Sequence, residues 1–228
     1  MRAIISDIHA NLPALEAVLA HIDEVGATRI VSLGDVVGYG ASPSECIQLL
    51  RERDIPNILG NHDNYLAFNM NCERSRTVAE IIDYQRSLLS ESDIAWLRSS
   101  PRSIREGDQL FVHGSPMDYT DGYIYEVCSD IFQENVKKLF VGHTHVQASF
   151  DFEEKLFCNP GSVGQPRDGN PKAAYAILDG EKLSLHRVEY DIDSTVASMI
   201  SAGFGSYCYE NLFKGSQIGG RVDRILRH

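Results

Sequence analysis

The sequence predicts an α/β protein, a parallel sheet wound with helices that passes into antiparallel strands toward its end. Three observations carry this expectation. In the first third, the apolar runs Ala3-Ile4-Ile5, Arg29 to Leu33 and Ile55 to Leu59 alternate with stretches of helical period, the pattern of a parallel sheet. Each run empties into a polar, partly glycine-rich turn. From Gln147 onward, alternation of period two takes over.

The first run is too short for a helix and reads as a buried strand. Its turn, Ser6-Asp7-Ile8-His9-Ala10-Asn11, emerges at the carboxyl end, where ligands gather in open α/β sheets. Asn11 then suits an N-cap with Pro13 in the first turn. Leu12, Leu15, Val18, Leu19 and Ile22 recur at helical spacing up to a stop at Gly26. The second run ends in Gly34-Asp35-Val36-Val37-Gly38-Tyr39-Gly40, and a helix from about Pro43 to Arg53 follows, with Ser42 at its start. The third opens into Gly60-Asn61-His62-Asp63.

Residues 64–100 change character and read as a helical insertion, with one helix from Arg74 to Leu89. Ser90-Glu91-Ser92-Asp93 has the spacing of a capping box for a shorter second helix. Gln109 to Val112 is a strand running into His113. After a tyrosine-rich loop comes a helix expected near Ser129 to Lys137, then a strand at Leu139-Phe140-Val141 that empties into Gly142-His143-Thr144-His145. Strands are expected at 147–152, 155–158, 173–178 and 182–190, broken by the Gly/Pro-rich loop from Asn159 to Asp168. A helix from about Ser194 to Ala202 precedes an aromatic tail (Phe204, Tyr207, Tyr209, Phe213) suited to cover the second sheet or to join two copies. No linker or repeat is visible, and residues 1–228 are expected to form a single domain.

Composition narrows the function. With 228 residues, 43% hydrophobic and 23% charged, the chain can bury a full core. No apolar run nears the roughly 20 residues that span a bilayer. The start lacks the pattern of a signal peptide. The five cysteines are scattered, never paired as C-x-x-C, which points to reduced thiols and a cytoplasmic protein. A formal charge of −11 argues against extended nucleic acid, though not against a small phosphate ester.

Of the eight histidines, His9, His62, His113, His143 and His145 fall in strand-end turns. With Asp7, Asp35 and Asn61 they form a set of imidazole and oxygen donors without thiolate. That chemistry suits Mn2+, Fe, Zn2+ or Co2+, and it is too large for one ion and sufficient for two. Two ions about 3.5–4 Å apart clamp an in-line displacement at phosphorus and activate a water between them.

Asp7-x-His9, Gly34-Asp35, Gly60-Asn61-His62-Asp63, His113 and Gly142-His143-x-His145 resemble, in order, the signature of the calcineurin-like metallophosphoesterase superfamily. The resemblance implies a four-layer α/β/β/α sandwich of two mixed sheets. It assigns Asp7, His9, Asp35 and His145 to one metal, and Asp35, Asn61, His113 and His143 to the other, with Asp35 bridging. The cofactor it implies is a pair of divalent ions, Mn2+ first, with Fe, Zn2+, Co2+, Ni2+ or Mg2+ as replacements. His62 would protonate the leaving oxygen, and Asp63 would orient that imidazole.

One departure bears on substrate. Many members read G-D-x-x-D-R-G at the second motif, whereas here the second Asp is Gly38 and the Arg is Tyr39. Losing a bidentate Arg argues against dianionic monoesters, and the shorter chain with its G-Y-G variant resembles the small prokaryotic YfcE-like phosphodiesterases. The expected activity is therefore a phosphodiesterase, with asymmetric hydrolysis of dinucleoside polyphosphates as the alternative. A non-catalytic interaction module on the same fold would be marked by lost ligands, and this chain has lost none. Arg167 is the candidate replacement for the missing Arg. Tyr39, Tyr119, Tyr123 and Tyr125 are the candidates to stack a nucleobase.

Overall fold

A computed structural model describes all residues, 1–228. The strands are β1 (Arg2–Ile5), β2 (Arg29–Ser32), β3 (Ser103–Glu106), β4 (Gln109–Val112), β5 (Glu126–Val127), β6 (Lys138–Phe140), β7 (Gln147–Phe152), β8 (Lys155–Pro160), β9 (Ala173–Asp179), β10 (Lys182–Val188) and β11 (Leu226–Arg227). The helices are α1 (Leu12–Val25), α2 (Pro43–Glu52), α3 (Asn61–Ala67), α4 (Arg76–Leu88), α5 (Glu91–Ser99) and α6 (Ile192–Ser201). Local chemistry sets their ends. The Asn11 side chain accepts from the Ala14 N–H at the start of α1, and Gly26 closes that helix at φ 79°. Ser90 and Asp93 cap α5 reciprocally.

Two mixed sheets form, in strand order β10-β9-β1-β2 and β3-β4-β6-β8-β7. In the first, β1 and β2 are parallel while β9 runs antiparallel to both β1 and β10. In the second, β4, β6 and β8 are parallel between antiparallel edges. Successive side chains of a strand point to opposite faces, and β1 shows the result. Ile4 joins Phe111, Phe140 and Cys158 of the second sheet in the layer between the sheets. Ala3 and Ile5 turn the other way, into the larger core with α1 and α2. The outer face of the second sheet is covered by Ile124, Val127, Phe132, Val136 and Ile225.

The third apolar run lies beside β2 but pairs through one residue, Asn57, opposite Ser32. Pro56 has no N–H to extend the ladder; its carbonyl accepts from Ser32, whose own carbonyl accepts from Ile58. The helix expected near 129–137 is a single 3₁₀ turn, Ser129–Ile131. Phe132 turns to an extended backbone directly after it, and Asn135 at φ 60° adds a left-handed residue that a right-handed helix does not admit. Within the tail, Ile225 packs on the outer face of the second sheet, whereas the aromatic Phe204 is placed elsewhere. Phe204 packs edge-on against Tyr84 of α4, 5.1 Å between ring centres.

Parallel pairing brings the carboxyl ends of β1, β2, β4 and β6 to one edge of the molecule. The loop after β8 crosses between the sheets there: Val163 N–H donates to the Ser6 carbonyl (2.9 Å) and the Ser162 hydroxyl to the Asp7 carbonyl (2.7 Å). The motif turns are thus tied into one rim.

Candidate metal centre

Tight turns at this rim deliver most of the motif side chains, while Asn61, His62 and Asp63 stand in the first turn of α3. Asp7, His9, Asp35, His143 and His145 all have φ between 51° and 65°, a region that non-glycine residues seldom occupy and that clusters at functional sites. Cross-bonds hold it. Asp7 N–H donates to the Gly34 carbonyl (3.0 Å), and His9 N–H to that of Asp35 (2.9 Å). The nine motif side chains from Asp7 to His145 are all buried, none more than 7% exposed.

Two overlapping donor sets result. Around Asp7 Oδ1, His145 Nε2 lies at 3.4 Å and His9 Nε2 at 3.9 Å, and those two nitrogens are 3.0 Å apart. Around His113 Nε2, Asn61 Oδ1 and His143 Nδ1 each lie at 3.2 Å. Asp35 Oδ2 belongs to both sets, 3.7 Å from His9 Nε2 and 3.4 Å from His113 Nε2.

Backbone carbonyls fix the ring orientations. The Nδ1 atoms of His9, His113 and His145 donate to Val37, Leu33 and Gln165 at 2.9, 3.0 and 2.7 Å, which turns each Nε2 inward. His143 is reversed: its Nε2 faces Asp121 at 3.5 Å, and Arg74 of the insertion holds that carboxylate.

The donors fit divalent ions. Lone pairs on His9 and His145 confront each other at 3.0 Å, and Asp35 Oδ2 is buried without a hydrogen-bond partner. A buried carboxylate oxygen of this kind is costly unless a cation meets it. Burial pushes the pKa values of His9, His143 and His145 well down, so they are neutral and ready to coordinate. Burial also opposes charge on Asp35, but His113 and His62 overcome it and hold the carboxyl well below its usual range. His113 is the converse case. Burial lowers its pKa, yet the Asp35 carboxylate lifts it to about 9, making it the cation of the metal-free cluster. Burial raises Asp7 to about 6.

His62 is packed against its surroundings rather than hydrogen-bonded. Its ring centre is 4.9 Å from that of Tyr39 and 5.0 Å from that of His9, and its Nδ1 has no partner. Gly38 explains the departure at the second motif: at φ 89°, a Cβ there would collide with His62 Nδ1. Burial lowers the His62 pKa to about 4.

The expected orientation of His62 by Asp63 is not what the structure shows. Asp63 Oδ1 accepts from the Val36 and Val37 N–H groups (2.9 and 3.3 Å), and Oδ2 from Asp35, Gly60 and Asn57 (3.0, 3.2 and 3.3 Å). Burial and the Asp35 charge push its pKa up, but both oxygens meet donors alone, so the geometry accommodates the carboxylate. Asp63 ties down the turn that carries Asp35.

Arg167, Tyr39 and Tyr123 all reach the rim. The Arg167 guanidinium sits 5.4 Å from the centre of the Tyr39 ring, and the Tyr123 ring centre is 3.9 Å from that of His143. Gln85 went unseen in the sequence, as an ordinary polar residue within a helix. Fully buried, it accepts from Gly38 N–H and donates to the Gly40 carbonyl, both at 2.7 Å. Asp121 likewise carried no motif.

This site and fold define a class, the metal-dependent phosphoester hydrolases built on two mixed sheets. The model of the calcineurin-like phosphoesterase superfamily domain matches residues 1–183, and the chain belongs to that family. A metallophosphoesterase crystal structure from Sphaerobacter thermophilus superposes with a TM-score of 0.81 at 34% identity, covering 94% of this chain and 99% of that one. An uncharacterized protein of Methanocaldococcus jannaschii is 34% identical over 94% of this chain and 98% of its own length. The phosphodiesterase YfcE of Escherichia coli K12 is 31% identical over 79% of this chain and 88% of its own.

Proposed function

We propose that the protein is a binuclear metal-dependent phosphodiesterase. The observation that carries this reading is Asp35 Oδ2, unpartnered and shared by two donor sets. Asp7, His9, Asp35 and His145 would hold one divalent ion, and Asp35, Asn61, His113 and His143 the other, with Mn2+ the first choice for such mixed oxygen and imidazole donors. When bound, the pair supplies Lewis acidity and a water of near-neutral pKa for in-line attack on phosphorus.

The chain's own groups do the rest. His62 Nε2, the nitrogen not lodged against Gly38, donates a proton to the leaving oxygen. Its pKa of about 4 leaves it neutral before substrate arrives, and the negative ester raises its proton affinity. Asp63 holds the Asp35 turn. Arg167 brings a cation to the rim in place of the missing Arg at position 39, a charge suited to a monoanionic diester. A second reading, hydrolysis of dinucleoside polyphosphates, draws support from the tyrosines at the rim. The free cysteines agree with a cytoplasmic setting, and the Thr195 hydroxyl bond to Asn11 (2.8 Å) with residues 1–228 acting as one domain.

The test is hydrolysis by metal-stripped protein of bis-p-nitrophenyl phosphate and p-nitrophenyl phosphate, with and without Mn2+. Turnover that returns with Mn2+ and favours the diester supports the reading; equal or greater monoester turnover overturns the diester assignment.

A further inference from the structure

A cavity of about 420 Å³ opens beside the donor cluster, within the range of roughly 300–1,000 Å³ typical of small-molecule sites. Its lining includes four tyrosines and two arginines: Tyr39 from the second motif turn, Tyr123 and Tyr125 from the loop after β4, Arg167, and Tyr207 and Arg221 from the tail. The tail residues lie outside the matched family domain, residues 1–183. Tyr207 and Arg221 thus complete a wall that Tyr39, Tyr123, Tyr125 and Arg167 begin within the matched domain.

Its chemistry is specific. Arg167 is only 7% exposed, its Nε has no hydrogen-bond partner, and its one side-chain bond runs to the neutral Gln165 amide oxygen (2.8 Å). A buried cation with no carboxylate in direct contact, facing a cavity, is arranged for an anion. The Tyr123 and Tyr125 rings lie 7° from parallel with centres 5.8 Å apart, a flat aromatic surface that begins at His143. Such surfaces bind the faces of nucleobases with little regard to sequence. The tail that completes the wall is fixed to the site, because Asp223 N–H donates to the Arg167 carbonyl (2.8 Å).

We infer that this cavity receives the nucleoside moiety of a nucleotide ester, with the base among the tyrosines and Arg167 on the phosphate. The inference rests on the phosphodiesterase reading and names its substrate class. The same chemistry fits a mononucleotide diester and a dinucleoside polyphosphate.

The experiment compares wild type, Tyr207→Ala and Tyr207→Phe, all Mn2+-loaded. The substrates are bis-p-nitrophenyl phosphate, thymidine 5′-(p-nitrophenyl phosphate) and diadenosine tetraphosphate. Tyr207 is 59% exposed, so both variants should fold. The ratio of nucleotide-ester to bis-p-nitrophenyl kcat/KM should fall about tenfold in Tyr207→Ala and recover in Tyr207→Phe, as expected for a lost stacking surface. An unchanged ratio overturns the inference. The better of the two nucleotides in wild type identifies the source. Titration of adenosine 5′-monophosphate, followed by calorimetry, separates the two levels of the argument. If no ester is turned over but the nucleotide binds and Tyr207→Ala weakens it, the phosphodiesterase reading fails and the nucleoside site stands. If wild type does not bind the nucleotide, the site fails.

Discussion

Asp63→Asn distinguishes two roles for the last residue of the G-N-H-D motif. The carboxylate accepts five hydrogen bonds, two at Oδ1 and three at Oδ2. An amide is isosteric, yet its NH2 must replace one acceptor. Placed at Oδ1, it leaves the Val36 and Val37 N–H groups facing a donor. At roughly 1–3 kcal/mol for each buried donor without a partner, the loss is about 2–6 kcal/mol. For a chain of this size that corresponds to a fall in Tm of about 5–20 °C. Because the same turn carries Asp35, metal affinity should also weaken by about 10- to 100-fold, the usual cost of losing a group that positions a ligand. Thermal unfolding of the metal-free protein and metal titration measure the two effects. Stability within about 0.5 kcal/mol of wild type, unchanged metal affinity and a reduced kcat would refute the reasoning and restore Asp63 as a partner of His62.

Other substitutions probe neighbouring contacts. His62→Ala should retain fold and metal but lose about 10²–10⁴ in kcat, the share of a positioned acid; metal content and turnover check both. Gly38→Ala places a methyl against His62 Nδ1 at a positive φ, so kcat should fall with metal retained, as steady-state kinetics would register. Gln85→Leu removes both side-chain bonds to the Gly38–Gly40 turn and should cost about 2–4 kcal/mol in denaturant unfolding. Metal uptake should depend on pH. His113, with a pKa near 9 in the metal-free cluster, must release its proton to coordinate, so affinity should drop about tenfold per unit as pH falls below that value. Below the Asp7 pKa of about 6 a second proton steepens the decline. Calorimetric titration across buffers reads the proton count.

The donor cluster was legible because its residues sit in turns that parallel strands must bring to one edge. Strand order and the rule about carboxyl ends gather Asp7, His9, Asp35, Asn61, His62, His113, His143 and His145, and the resemblance to the phosphoesterase signature is what sets His62 apart from the ligands. Side-chain direction was less accessible. Asp63 stands three residues after Gly60, the N-cap of α3, and that spacing turns its carboxylate back toward the N-cap N–H, away from His62. The same letters carry the capping pattern and the functional motif, and the capping role is the one the backbone realises. The expected helix near 129–137 failed at Phe132, whose backbone is extended, and again at the left-handed Asn135, neither of which hydrophobic periodicity registers. Gln85 and the cavity wall at Tyr207 and Arg221 depend on packing between segments far apart in the chain, for which local pattern holds no signal.

The central claim is that Asp35 joins two metal sites in one catalytic unit. Its most direct test is a Mn2+ titration of metal-stripped protein, with bound metal and bis-p-nitrophenyl phosphate hydrolysis followed together. Wild type should bind two ions per chain, with activity appearing as the pair fills, and Asp35→Asn should weaken both ions together. Loss of a single ion in that variant, or full activity with one ion bound, would contradict it.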